Sequence, residues 1–152
     1  MKKIALFPGT FDPFTIGHLS MIERGLKLVD EMIIAIGVNP NKKTFYSLGQ
    51  RLETITTLFQ DNPQVSVQSY TGITVDFARA VGAQFILRGI RSVKDFEYEK
   101  NIADVNRQLS GIETFILFTE PEYTHISSSI VRELLSYGKD VSAFVPVYQH
   151  NK

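Results

Sequence analysis

Gly9-Thr10-Phe11-Asp12-Pro13-Phe14-Thr15-Ile16-Gly17-His18 lies between a short apolar run at residues 3–7 and a segment of helical spacing from residue 17 to about 29. A buried strand that passes through a glycine-bearing loop straight into a helix is the opening unit of an α/β domain. The loop is not G-x-G-x-x-G, and no lysine follows it as a P-loop requires. Gly9 permits a tight turn and Pro13 fixes the loop. Gly17 lets a ligand approach the helix start, where unpaired N–H groups and the positive dipole end favour phosphate. His18 falls in the first helical turn, aimed at the same place. Taken alone, the stretch reads as a structural loop with a histidine cap.

Working outward, four further β-rich runs follow at residues 32–38, 65–70, 85–87 and 114–118, short and apolar as buried parallel strands are. Helical patterns separate them. The first carries Leu19, Ile22, Leu26 and Val29 on one face, with the Glu23/Lys27 pair on another. The second opens with the capping-box pattern Ser47-x-x-Gln50 and continues with Leu48, Leu52, Ile55 and Phe59. A third spans about 74–81. The fourth follows Ser92 and is expected to bury Tyr98, Ile102, Val105 and Leu109; the fifth starts near Ser127, carries Ile130, Val131, Leu134 and Leu135, and ends at Gly138. Strict alternation predicts a Rossmann-like, doubly wound five-stranded parallel sheet of order 3-2-1-4-5, forming a single domain over 1–152. Ligands bind such a sheet beyond the carboxyl ends of the strands, where the winding reverses, so the loops after strands 1, 4 and 5 are the ones to read.

After strand 4 comes Arg88-Gly89-Ile90-Arg91. Two arginines closing a buried strand are costly unless they meet anions; the plain alternative is pairing with Asp95, Glu97 or Glu99. After strand 5 comes Tyr123-Thr124-His125-Ile126-Ser127-Ser128-Ser129, entering a helix with Arg132 one turn along. Serines there serve as caps, and their hydroxyls and free N–H groups also form an anion cradle. The loop after strand 2 adds Lys42 and Lys43, of which Lys42 is the better placed to reach a phosphate beside the strand 1 loop. Each feature has an ordinary structural reading, but the topology sets them side by side.

Composition narrows the field. Among 152 residues, Lys plus Arg number 16 and Asp plus Glu number 16, a zero balance that removes any bulk electrostatic case for nucleic acid or a membrane surface. Any bound anion must be met by a local cluster of charge. Cysteine is absent, which excludes disulfides, thiolate metal sites and thiol nucleophiles. No signal sequence or membrane span is read, so a soluble, cytoplasmic protein is the expectation. Phe144-Val145-Pro146-Val147 is expected to pack on the body and the last residues of the tail to fray.

Gly9 through His18 resembles the signature of the HxGH nucleotidyltransferases, in the form Thr15-Ile16-Gly17-His18, and Ile126-Ser127-Ser128-Ser129-Ile130-Val131-Arg132 resembles their second signature, ISSSxxR. Chain length, the Lys42-Lys43 rim, Arg88 to Arg91 and the run Asp95-Phe96-Glu97-Tyr98-Glu99 make the whole chain most similar to the bacterial phosphopantetheine adenylyltransferase family. That resemblance implies transfer of an adenylyl group from ATP to 4'-phosphopantetheine, with dephospho-CoA and pyrophosphate as products. It implies that Thr10 and Phe11 touch nucleotide and substrate, and that His18 binds ATP phosphate and stabilises the transition state, with Thr10, Lys42 and Arg91 also in the catalytic set. ATP would be held by Thr10, Phe11, His18, Gly89, Ile90, Arg91, Glu99, Tyr123, Thr124, His125, Ile126, Ser127, Ser128 and Ser129. Thr10, Lys42, Thr74 and Arg88 would hold phosphopantetheine, Thr74 standing where some members have a larger apolar residue. Mg²⁺ would arrive on the ATP phosphates rather than in a protein cage, and the family implies a homohexamer and coenzyme A as a feedback ligand. Two phosphate-bearing reactants repel, and Lys42, Arg88, Arg91, His18 and two helix ends are expected to offset that. A sister transferase making a cytidylyl or nicotinamide dinucleotide product shares both signatures, and a non-catalytic nucleotide sensor shares the fold. The missing glycine fingerprint disfavours a dehydrogenase.

Overall fold

In the computed structural model, which describes residues 1–146, the chain runs β1 (Ile4–Gly9), α1 (Ile16–Gly25), β2 (Glu31–Gly37), α2 (Leu48–Leu58), β3 (Val65–Tyr70), α3 (Thr74–Ala80), β4 (Phe85–Ile90), α4 (Val93–Ser110), β5 (Glu113–Phe118) and α5 (Ser128–Ser136), with a 3-10 turn at Pro121–Tyr123 before α5. All strand pairs are parallel and the order is β3-β2-β1-β4-β5, the α/β sheet that the alternation predicts. Alternate residues of the central strands fill two cores. Ala5, Phe7, Met32, Ile34, Ile36 and Leu87 face Ile22 of α1, Ile55 of α2 and Phe59 just after it. Leu6, Ile33, Ala35 and Ile86 face Val75 and Ala78 of α3. Because both faces of β1 and β2 are covered, their sequences read as unbroken apolar runs. Each fully buried aliphatic side chain there contributes about 1.5–3 kcal/mol.

Hydroxyl caps start four of the helices, and the Ser47/Gln50 capping box forms in both directions, at 3.1 and 2.9 Å. α1 ends at Gly25, short of residue 29, although Val29 is still buried in the core. β4 runs on to Ile90, three residues past the expected end, so Arg88 stands inside the strand rather than closing it. A strand can carry an arginine there because a buried carboxylate meets it.

That pairing also explains the largest departure from expectation. Tyr98, Ile102, Val105 and Leu109 are exposed in the chain, by 64%, 41%, 52% and 58%, whereas helical spacing alone would bury them. α4 turns its Asp95, Glu99, Ala103 and Asn106 side toward the sheet, since Glu99 must meet Arg88, and the apolar stripe is left on the outside. In the carboxyl-terminal segment Val145 and Pro146 are buried, and the Phe144 carbonyl accepts the Ile16 N–H at 3.0 Å. Val147 and the tail through Lys152 lie outside the described residues.

Candidate active site

The loop that follows β1 is built around Phe11. Its φ is +52°, in the left-handed region that ordinary side chains avoid, yet its ring is buried and packs 5.5 Å from the rings of both Phe7 and Phe14. Gly9 makes room for it: a Cβ at Gly9 would come within 2.8 Å of the Phe11 ring. The loop then enters α1 through a reciprocal cap in which Thr15 Oγ1 accepts the His18 N–H at 3.3 Å and His18 Nδ1 accepts the Thr15 N–H at 2.9 Å.

This cap fixes the chemistry of His18. An Nδ1 that accepts a hydrogen bond cannot carry the proton, so the neutral ring holds it on Nε2. Packed edge-on to Phe11 at 5.0 Å and tilted beside Phe14 at 5.3 Å, the imidazole is desolvated, and Arg88 and Arg91 add their positive fields; its pKa is lowered from 6.5 to about 3. The histidine is therefore both the cap and a cleft group. It offers a donor and not a charge. Of the first-turn amides, Ile16 N–H goes to Phe144 and His18 N–H to Thr15, leaving Gly17 N–H without a partner among the described residues.

One consequence is a pH dependence of stability. The unfolded chain takes a proton on His18 near pH 6.5 and the folded one does so only near 3, so the contribution is complete above 6.5 and is lost as pH falls toward 3. Melting temperature should fall through that window, and His18→Asn should flatten the slope in a thermal scan series; an unaltered slope would remove His18 as its source.

Opposite His18, α5 begins at Ser127, whose Oγ accepts the Ile130 N–H at 3.2 Å. Ser128 Oγ donates to the Pro13 carbonyl at 2.8 Å, and Arg132 donates to the Asp12 carbonyl at 2.9 Å and to Ser129 Oγ at 3.2 Å. The serine hydroxyls thus serve structure, and all three serines line the cleft. From β4, Arg88 makes a bidentate pair with Glu99 at 2.6 and 2.7 Å and donates to the Pro8 carbonyl at 2.8 Å. Burial opposes the guanidinium's charge, but the Glu99 hydrogen bond and charge outweigh it and hold the Arg88 pKa above its usual value. Three of its five N–H groups are spent, and two remain for a ligand. Arg91 lies 3.6 Å from Asp95, on an exposed, weakly held pair.

These groups line a cleft of about 400 Å³ that includes Thr10, Gly17, His18, Lys42, Arg88, Arg91, Arg132 and the 126–129 segment. Beside it lies a second cavity of about 330 Å³, bounded by Tyr70, Thr74, Tyr98, Ile102 and Asn106. Pro8, Gly9, Thr10, Arg88, Tyr98 and Glu99 belong to both, so the two spaces meet over Thr10 and the Arg88 guanidinium. Thr74 Oγ1 and the Tyr70 hydroxyl share a 2.8 Å hydrogen bond in the second cavity.

Of the residues singled out from sequence, Thr10, Phe11, His18, Lys42, Arg88, Gly89, Arg91, Glu99, Tyr123, Ile126, Ser127, Ser128 and Ser129 line the first cleft and Thr74 the second. Lys43 lines neither. Three fall elsewhere. Ile90 packs with Arg91 on a neighbouring hollow, Thr124 Oγ1 donates to the Pro121 carbonyl, and His125 stands 6.4 Å from the Phe144 ring. Sequence reasoning missed Tyr70, Asn106 and the buried Arg51, and it gave Tyr98 and Ile102 to the core. The apolar i, i+4 spacing of those last two is the same for a pocket wall as for a packed face.

A strand-loop-helix turn at the switch point of a 3-2-1-4-5 sheet, with a second cavity joined to the cleft above it, is the architecture of a nucleotidyltransferase-type α/β domain. The family model described as cytidylyltransferase-like matches residues 6–134. Over 146 residues the chain is 62% identical to the phosphopantetheine adenylyltransferase of Bacteroides thetaiotaomicron, covering 96% of each chain. It is 52% identical over 145 residues to that of Porphyromonas gingivalis, covering 95% of each. The chain belongs to the phosphopantetheine adenylyltransferase family. A bifunctional NMN adenylyltransferase/ADP ribose pyrophosphatase from Francisella tularensis shares the fold with a TM-score of 0.75 at 19% identity, over 95% of this chain and 45% of that one.

Proposed function

We propose that this enzyme transfers the adenylyl group of ATP to 4'-phosphopantetheine, reversibly, giving dephospho-CoA and pyrophosphate in the penultimate step of coenzyme A synthesis. A phosphate oxygen of phosphopantetheine attacks the α-phosphorus, forming the new P–O bond, while the bond to the bridging oxygen of the β-phosphate breaks and pyrophosphate leaves with the electron pair. The observation that carries this reading is the junction of the two cavities at Thr10 and Arg88, which gives two phosphate-bearing molecules one meeting point. ATP belongs to the larger cleft, with the Gly17, Ser128 and Ser129 amides and Arg91 toward its phosphates. Phosphopantetheine belongs to the smaller, its phosphate against the two free N–H groups of Arg88 and the Lys42 ammonium. Positioning and charge stabilisation suffice for such a displacement, and no covalent intermediate is called for. His18 Nε2–H donates to the oxygen on which charge accumulates as the phosphorus becomes five-coordinate.

Among the described residues no group of three or more histidine, aspartate and glutamate side chains could hold a metal ion, and the cleft side chains that would face the phosphates are basic. Mg²⁺ is proposed to enter on the nucleotide. Coenzyme A, which contains the pantetheine and adenylate parts of the product, is proposed to bind across both cavities as a feedback ligand. The exposed Tyr98, Ile102, Val105 and Leu109 stripe on α4 supports the proposed homohexamer by offering an apolar face to other copies of the chain. No helix among the described residues is long and apolar enough to cross a membrane, and a cytoplasmic location is proposed.

Pyrophosphate release from ATP tests the reading. Rapid release is expected with 4'-phosphopantetheine, and little with nicotinamide mononucleotide or glycerol 3-phosphate. Faster turnover with either of the last two would overturn it.

A further inference from the structure

We propose that Asp12 is a positioning residue for the reaction, setting the place of Lys42 from outside the cleft. This rests on the adenylyl-transfer reading above. The Asp12 side chain lines neither cavity and is only 3% exposed. Its two carboxylate oxygens accept the backbone N–H groups of Phe45 at 2.7 Å and Tyr46 at 2.8 Å, three and four residues beyond Lys42. A carboxylate buried against two amides and no salt-bridge partner among the described residues is a strong, directional anchor.

The anchor ties the Lys42 loop to the loop that follows β1. Residues 39–47 are an exposed loop in which the Lys42 ammonium has no partner among the described residues, so nothing but the loop's own path sets where it reaches. At its start the loop is closed by Lys42 N–H on the Asn39 carbonyl at 3.0 Å, and at its end by Asp12. Arg51, 6% exposed, reinforces the end from α2, donating to the Tyr46 carbonyl at 3.2 Å and to the Thr10 carbonyl at 2.8 Å. Asp12 meanwhile offers its own carbonyl to Arg132. One residue thereby sets the spacing between Lys42, the Thr10 loop and the α5 cradle.

Asp12→Asn is isosteric but places an amide NH₂ against one of the two N–H donors, while the main-chain bond from Arg132 is retained. In the whole enzyme it should lower kcat about 10–10²-fold and leave the KM for ATP nearly unchanged, as a small misplacement of a phosphate-binding group does. The decisive arm is a double-mutant cycle with Lys42→Ala. If Asp12 acts through Lys42, adding Asp12→Asn to Lys42→Ala costs no more than about threefold further. Full multiplication of the two losses, or near-normal turnover of Asp12→Asn, would overturn the proposal. Should Asp12→Asn not fold, amide exchange of the unsubstituted protein decides. Phe45 and Tyr46 N–H groups should exchange slowly although they lie outside any helix or strand, and slow further when pyrophosphate is bound; fast exchange at both, or no response to pyrophosphate, sinks it. Failure of the transfer reading shows separately, as absence of turnover by the unsubstituted enzyme.

Discussion

His18→Asn should fold to the same sheet and lose turnover by at least about 10²–10³-fold, the scale for removing one transition-state donor. The asparagine Oδ1 stands near the place of Nδ1 and can still accept the Thr15 N–H, so the helix cap is kept while the Nε2 donor is gone. His18→Gln also keeps the cap, because its Oε1 can accept the Thr15 N–H as Gln50 Oε1 accepts that of Ser47 at 2.9 Å. That variant should match His18→Asn in stability while its amide N–H recovers part of the turnover lost there. His18→Ala loses both. Steady-state turnover and melting temperature for the three variants separate the two roles, and near-normal turnover in His18→Asn would show that the Nε2 proton is not used.

Arg88→Ala should be the most damaging single change to the fold as well as to substrate use. It leaves the Glu99 carboxylate, 6% exposed, with no counter-ion, and breaking a buried pair this way costs about 3–5 kcal/mol, or roughly 10 °C of melting temperature in a domain of this size. Replacing both partners with apolar residues, Arg88→Leu with Glu99→Met, should restore most of the stability and none of the turnover. In a folded background, use of phosphopantetheine should suffer more than ATP affinity measured by calorimetry, because the proposed place of the phosphopantetheine phosphate is against the free Arg88 donors. Equal loss of both would detach Arg88 from phosphopantetheine, and failure of the double change to restore stability would show that the ion pair is not what holds this region.

Much of this was legible in the sequence, for identifiable reasons. Buried parallel strands and hydroxyl-capped helices leave local marks, so the order of elements and the sheet topology could be read from residues such as Ile33 to Ile36, Ser47 and Ser127. The cleft residues of the β1–α1 and β5–α5 loops were legible because motif and topology agreed. What hid was long-range pairing. Nothing local to Arg88 tells whether it meets a ligand or Glu99, and the structure has it do the second while keeping donors for the first. The same pairing turned α4, so a stripe that spelled core became surface and pocket wall. Protonation was equally hidden, since the neutrality of His18 follows from a hydrogen bond to Thr15 and from rings on either side of it. Asp12 and Arg51 were passed over because buried charge cannot be told from exposed charge by residue type.

Phe11 is held to two demands that pull against each other. A left-handed backbone there is cheapest for glycine and tolerable for asparagine, while a β-branched side chain would pay about 1–3 kcal/mol to adopt it. The space it fills, against Phe7, Phe14 and the edge of the His18 ring, calls for a full aromatic ring. Residues that relax the backbone empty the pocket, and aliphatic residues that partly fill it retain the conformational penalty. Selection at this position is therefore a choice between two kinds of damage, and a library randomised at residue 11 should return aromatic residues almost alone when screened for turnover, whatever it tolerates when screened only for folding.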